Sequence, residues 1–256
     1  MTEKEKVQNA LFMYCLRLAD NSLILGHRLS EWCGHGPVLE EDIALTNIAL
    51  DQIGHARALL QYAAQVENKN RTEDDLAYLR KEREFYNTML AEQPNGDFGK
   101  TIVRQFFTDV FDYYFYQELS NSKDETLAAI AAKSVKEITY HLRHSSEWLL
   151  RLGDGTVESH ERVQKSVNEL WMFTGEFFEM NEVDEVLLKE KIAVDLSKIK
   201  LLWEKKVSEV LKNATLVKPE SAWMQTGSRK GLHTEHLGFL LAEMQYLPRA
   251  YPDAKW

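Results

Sequence analysis

Apolar residues recur along this chain at intervals of three and four, the repeat of one face of an α-helix, and no window alternates strictly enough to read as a strand. The pattern predicts a first helix from about Glu5 to Cys33, stopped by the Gly34–Pro37 turn, and a second from Leu39 to Val66, stopped by the polar run at 68–75. A third helix is expected from Asp75 to Leu90. After the loop QPNGDFG at 93–99, Asp97 is placed to cap a fourth helix reaching about Ser120. The fifth opens in NSKDET and ends at LGDGT, residues 152–156, and the sixth covers Ser159 to Glu179. Asp184 to Lys218 carries one or two more, and a last helix follows Gly231. With no internal repeat and no composition break, residues 1–256 read as one all-helical domain.

Three of these helices interrupt their apolar stripe with polar residues. On the second, Leu45, Ile48, Gln52, His55, Leu59 and Tyr62 share one face. On the fourth the stripe is Phe98, Ile102, Phe106, Asp109, Tyr113 and Tyr116, and on the fifth it is Ile130, Ser134, Ile138, His141, Ser145 and Trp148. His55, Asp109 and His141 are therefore expected to face inward, where an unpaired charge is costly and must meet another group, a metal or water. The physical template is the di-iron carboxylate bundle, in which two helices each give a Glu and two each give Glu-x-x-His. Here the residue three before His55 is Gln52 and the residue three before His141 is Ile138, so two of the carboxylates are gone. Asp51 and Glu137 lie four before each histidine, about 100° off the inner position. A working di-iron centre is not expected; a single metal on His55, Asp109 and His141 stays open as an alternative.

Composition narrows the class further. Only 12 Gly and 5 Pro in 256 residues is too few turn formers for a sandwich or barrel. Lys and Arg number 31 against 40 Asp and Glu, a net charge of −9, which argues against a nucleic-acid partner. The deficit sits in residues 1–128, with 13 basic and 21 acidic groups (−8), against 18 and 19 (−1) in 129–256. Lys198, Lys200, Lys205, Lys206 and Lys212 share one late helix, a solvated face or a contact for an acidic group. Cys15 and Cys33 form no disulfide framework, no stretch of 18 residues is free of charge, and the N-terminus lacks a leader pattern. A cytoplasmic protein without a membrane partner is expected.

Several segments carry a resemblance that extends over nearly the whole chain. LADNSLILGHRLSEWCGHGPVLEEDIALTNIALDQIGHAR at 18–57, EQPNGDF at 92–98, KEITYHLRHSSEWLLRLGDGT at 136–156 and above all KGLHTEHLGFLLAEMQYL at 230–247 resemble the structural-subunit family of the bacterial ring-1,2-phenylacetyl-CoA epoxidases, the PaaC family. The resemblance implies an all-α fold, a ferritin-like four-helix bundle core with additional C-terminal helices. It implies a non-catalytic subunit that binds and stabilises a related catalytic subunit, which keeps the di-iron centre and epoxidises phenylacetyl-CoA with dioxygen and reductant in aerobic phenylacetate breakdown. On this reading the chain itself has no catalytic residue, metal or other cofactor, and it pairs with the di-iron oxygenase subunit, with a homo-oligomer as a further option. The degenerate di-iron pocket then comprises Glu31, Gln52, His55, Asp109, Ile138 and His141. Arg229, Lys230, His233 and His236 are candidate contacts for a partner or for coenzyme A, with Thr234 as a cap for the last helix. Two rival functions remain: a metal-binding ferritin-like oxidase in its own right, and a free-standing helical acyl-CoA-binding protein.

Overall fold

The computed structural model describes residues 2–220, 223–252 and 254, and among these the chain is all-α, without a strand. The principal helices are α1 (Glu3–Ser30), α2 (Leu39–Glu67), α4 (Phe98–Leu119) and α5 (Glu125–Gly153). Shorter ones are α3 (Glu73–Tyr78), α6 (Val157–Trp171), α7 (Glu182–Lys189), α8 (Leu196–Asn213), α9 (Glu235–Met244) and α10 (Tyr246–Ala250). Caps account for several starts: Thr2 and Glu5 form a reciprocal box before α1, and Asp97 accepts the Lys100 N–H at 2.8 Å before α4, as expected.

Two predicted helices are shorter than their periodicity suggests. The third stops at Tyr78 instead of Leu90 because side chains of α1 capture the backbone beyond it. Asp20 accepts the N–H of Tyr86 at 2.9 Å and Asn21 that of Thr88 at 2.8 Å, donors that a continuing helix would use internally. Arg80 meanwhile turns back onto the Leu76 carbonyl and the Asp20 carboxylate. The sixth helix starts earlier, on a Thr156–Ser159 box, and ends at Trp171, followed by a 3₁₀ turn at Thr174–Phe178. The carbonyl of Met172, just past its end, instead accepts the Gln225 N–H at 2.8 Å.

The chain divides into two compact units, residues 1–94 with 181–187 and 227–256, and residues 95–180 with 188–226. In the first, α1 and α2 run antiparallel: Gln8 near the start of α1 donates to the Val66 carbonyl near the end of α2, while Gly26 lies against Ala49 and Ile53. A Cβ on Gly26 would lie 3.0 Å from Ile53 Cδ1 and 3.2 Å from the Ala49 carbonyl oxygen, a close crossing into which a larger residue fits only if these neighbours give by a few tenths of an ångström. Buried ion pairs tie more distant segments to α1. Arg17 holds Asp184 through two bonds of 2.9 and 3.0 Å, and Asp20 is paired with Arg80.

In the second unit α4 and α5 are also antiparallel, with Phe98 at the start of one packed edge-to-face on Trp148 near the end of the other, ring centroids 5.0 Å apart. Its core is aromatic: Phe107, Trp171, Phe177 and Phe178 surround Trp203, whose Nε1 donates to the Phe107 carbonyl at 2.9 Å. At the end of α5, Gly153 lies so close to the end of α8 that a Cβ would sit 2.3 Å from the Ala214 carbonyl oxygen. Gly153→Ala should therefore force the two helix ends apart, costing roughly 1–3 kcal/mol. A melting scan should show Tm lowered by about 3–10 °C, and an unchanged Tm would contradict the packing described.

Candidate functional site

Inward polar positions occur in both units. On α2, Leu45, Ile48, Gln52, His55 and Leu59 are all buried, so the face read from the sequence is the face withdrawn from solvent. Gln52 is 1% exposed and its Nε2 makes no hydrogen bond, whereas His55 is 4% exposed. Asp51 is half-buried, off that face. Glu31 does not join them. It is the C-cap residue of α1, exposed in the turn, with its carboxylate 2.7 Å from Arg28 Nη1. The helix ends at Ser30, and the i,i+3 pairing with Arg28 holds Glu31 back along the surface. One turn earlier, His27 has its Nε2 buried without a hydrogen bond, and burial lowers its pKa, so it is held neutral.

In the second unit, the polar members of each stripe are buried more deeply than the apolar residues at its ends. Asp109 is 1% exposed, Ile138 1% and His141 0%, while Phe98, Tyr113, Ile130 and Trp148 are only half-buried. The structure brings Asp109 of α4 together with His141, His144 and Ser145 of α5. Neither oxygen of the Asp109 carboxylate completes a hydrogen bond of good geometry. Burial pushes Asp109 up to about 6, and the neighbouring His141, the Ser145 hydroxyl and His144 only limit the rise. Asp112, three residues on, is a further acid that the stripe did not include; burial, then the charge of Asp109, lift it well above its ordinary value.

These residues do not fit a di-iron centre. An amide and a hydrocarbon stand at two carboxylate positions, Glu31 is on the surface, and the remaining inward donors of the expected pocket are one carboxylate and two imidazoles. That set brings too little negative charge for two metal cations. Among the described residues no three His, Cys, Asp or Glu side chains are grouped to hold a metal ion.

The C-terminal set separates by exposure. Lys230 is exposed, and Arg229 and His236 are half-buried. His233, expected as a contact for a partner or coenzyme A, is instead spent inside the first unit. Its side chain is fully buried, Nε2 lies 2.8 Å from the Phe85 carbonyl and Nδ1 3.0 Å from Glu92 Oε2. Glu92 is the residue the sequence reading missed. Its Oε2 also accepts from Asn87, and its Oε1 accepts the N–H and hydroxyl of Thr234 at 2.6 and 2.7 Å. Thr234 does occupy the N-cap of α9, but its hydroxyl goes to Glu92, which takes the part that a glutamate three residues on plays in a capping box. Arg28 completes the knot by donating to the Glu92 carbonyl at 2.8 and 3.0 Å. EQPNGDF and KGLHTEHLG both stand out in the sequence; nothing in either shows that they bind each other.

Comparison with known proteins places this geometry in a lineage. The family model described as phenylacetic acid catabolic protein matches residues 1–256. The chain is similar to a 1,2-phenylacetyl-CoA epoxidase subunit of Escherichia coli (strain K12), being 50% identical over 248 residues, 97% of this chain and 100% of the relative.

The buried Asp109 sets a pH dependence. Its raised folded-state value means that its contribution favours the fold below about 3.8, the ordinary value, and is lost as pH rises through about 6. Asp109→Asn removes the burdened charge, so at pH 8 the variant should exceed the parent by on the order of 2 kcal/mol, the gap closing as pH falls to 4. Denaturant unfolding across that range checks this, and a gap that widens on acidification would refute it.

Proposed function

The chain belongs to the phenylacetic acid catabolic protein family, and from that membership we propose that it is the non-catalytic structural subunit of a multicomponent di-iron oxygenase that epoxidises phenylacetyl-CoA. Its work is to bind and stabilise the related subunit that carries the metals, in the cytoplasm, during aerobic phenylacetate degradation. The observation that carries this reading is the pair Gln52 and Ile138, an amide and a hydrocarbon buried where Glu-x-x-His motifs would need carboxylates. A chain freed from holding iron keeps the helices and fills the former ligand positions with groups that need no cation.

A surface suited to a partner supports the second half of the reading. Leu39, Ile43 and Leu50 lie on the outward face of α2, 71%, 52% and 64% exposed, an apolar stripe on a helix whose other face is already packed. Among the described residues no helix is long and apolar enough to cross a membrane; a protein partner seated on that stripe is what this reading requires.

Two measurements on protein made in iron-supplemented culture test the proposal. Metal analysis of the purified chain should find far less than one iron per chain, and a value near two would make it an oxidase in its own right. Co-expressed with the di-iron subunit, it should co-elute on size exclusion, and Leu50→Glu should weaken the pair at least tenfold, about 1.4 kcal/mol. Failure to co-elute would favour a free-standing binding protein. In the converse direction, Gln52→Glu with Ile138→Glu should raise iron affinity, and the burial of two further carboxylates should cost the iron-free variant several kcal/mol.

A further inference from the structure

The segment after residue 226 is fastened to the end of α3 and the irregular stretch that follows it by polar contacts that differ in kind. At its far end, Gln245 donates to the Ala77 and Arg80 carbonyls, and Arg249 to those of Tyr78, Leu79 and Arg80, bonds that do not change near neutral pH. At its near end the hold passes through His233. Both ring nitrogens face acceptors, the Phe85 carbonyl oxygen and the Glu92 carboxylate, with no exposure of either side chain. A neutral imidazole has one N–H; only the imidazolium has the two that this geometry uses.

We propose that His233 is a proton-dependent latch, holding the 232–245 segment down through two N–H donors and letting it lift when one proton leaves. The neutral ring would turn a lone pair on an oxygen acceptor and leave Glu92 without its cation, in a site closed to water. The release is local, because Thr234 at the α9 entry is held by the other oxygen of the same Glu92 carboxylate. The charges facing the ring from the surrounding elements are Glu92 and, on α1, Asp20, which favour the imidazolium. Arg80 and Arg28 oppose it from one bond further out, the first paired with Asp20, the second bound to the Glu92 and His236 carbonyls and to Glu31. Burial lowers the affinity of His233 for its proton, but the Glu92 bond and charge with the Phe85 carbonyl outweigh it, and the value lies above 6.5. Docking is therefore complete below pH 6.5 and lost as pH rises through the folded-state value.

Hydrogen exchange on the full chain, corrected for the intrinsic pH effect, reads this directly. Protection of amides in 232–245 should fall as pH rises above about 6.5, by at most tenfold per pH unit, while α2 and α5 hold theirs. Glu92→Gln keeps an acceptor for Thr234 but removes the charge, so the fall should move to lower pH. Nitrogen-15 spectra of labelled histidine serve as the measurement that needs no variant: at pH 6.5 the buried ring should show two protonated nitrogens. Protection in 232–245 that is flat with pH, a fall that Glu92→Gln leaves in place, or a neutral ring at pH 6.5 would each overturn the latch.

Discussion

A charge withdrawn from water must be met by another group, and the first unit is organised around that requirement. Helix α1 supplies Arg17, Asp20 and Arg28 on buried positions, and each draws in a segment distant in sequence. Asp184 comes to Arg17, Arg80 with the Tyr86 N–H to Asp20, and the Glu92 and His236 carbonyls to Arg28. Losing one partner of such a pair strands the other, typically at 3–5 kcal/mol, so the pairs specify where these segments lie more firmly than the apolar contacts around them. The second unit is assembled differently, by interlocking rings about Trp203, and there Asp109 is buried without an equivalent cation.

The contrast explains which features were legible in the sequence. Helices α2, α4 and α5 declare themselves because each makes its own hydrogen bonds and needs only one periodic face; Gln52, His55, Asp109, Ile138 and His141 were placed inward by spacing alone and are found buried. The stretch from Leu79 to Leu90 has the same periodicity but loses its backbone donors to Asp20 and Asn21, residues more than 60 positions earlier, and periodicity has no knowledge of them. Glu31 failed for a boundary reason: helix ends are the least certain part of any pattern, and α1 stops at Ser30. Glu92 and His233 went unpaired because two loops meet through a contact spanning 141 residues.

The inward positions on α2, α4 and α5 are filled by groups of two kinds with different consequences. Ile138 is a hydrocarbon and needs no partner once buried. Gln52 keeps a polar head whose Nε2 goes unmet, and Asp109 keeps an acid whose affinity for a proton has risen to match its surroundings. The interior thus retains polar groups that packing alone would not call for.

The division of the chain also bears on how the protein is made. The first unit draws on residues at the beginning of the chain, at 181–187 and after 226, with the whole of the second unit's sequence lying between. On the ribosome, α1 and α2 emerge first, yet Arg17 waits for Asp184 and Arg28 for His236. The later-emerging unit can close while the earlier one still carries unmatched charges, which reverses the usual order in which the amino-terminal part settles first. Vectorial synthesis therefore leaves Arg17 and Arg28 of α1 without these partners until α7 and α9 have cleared the exit tunnel.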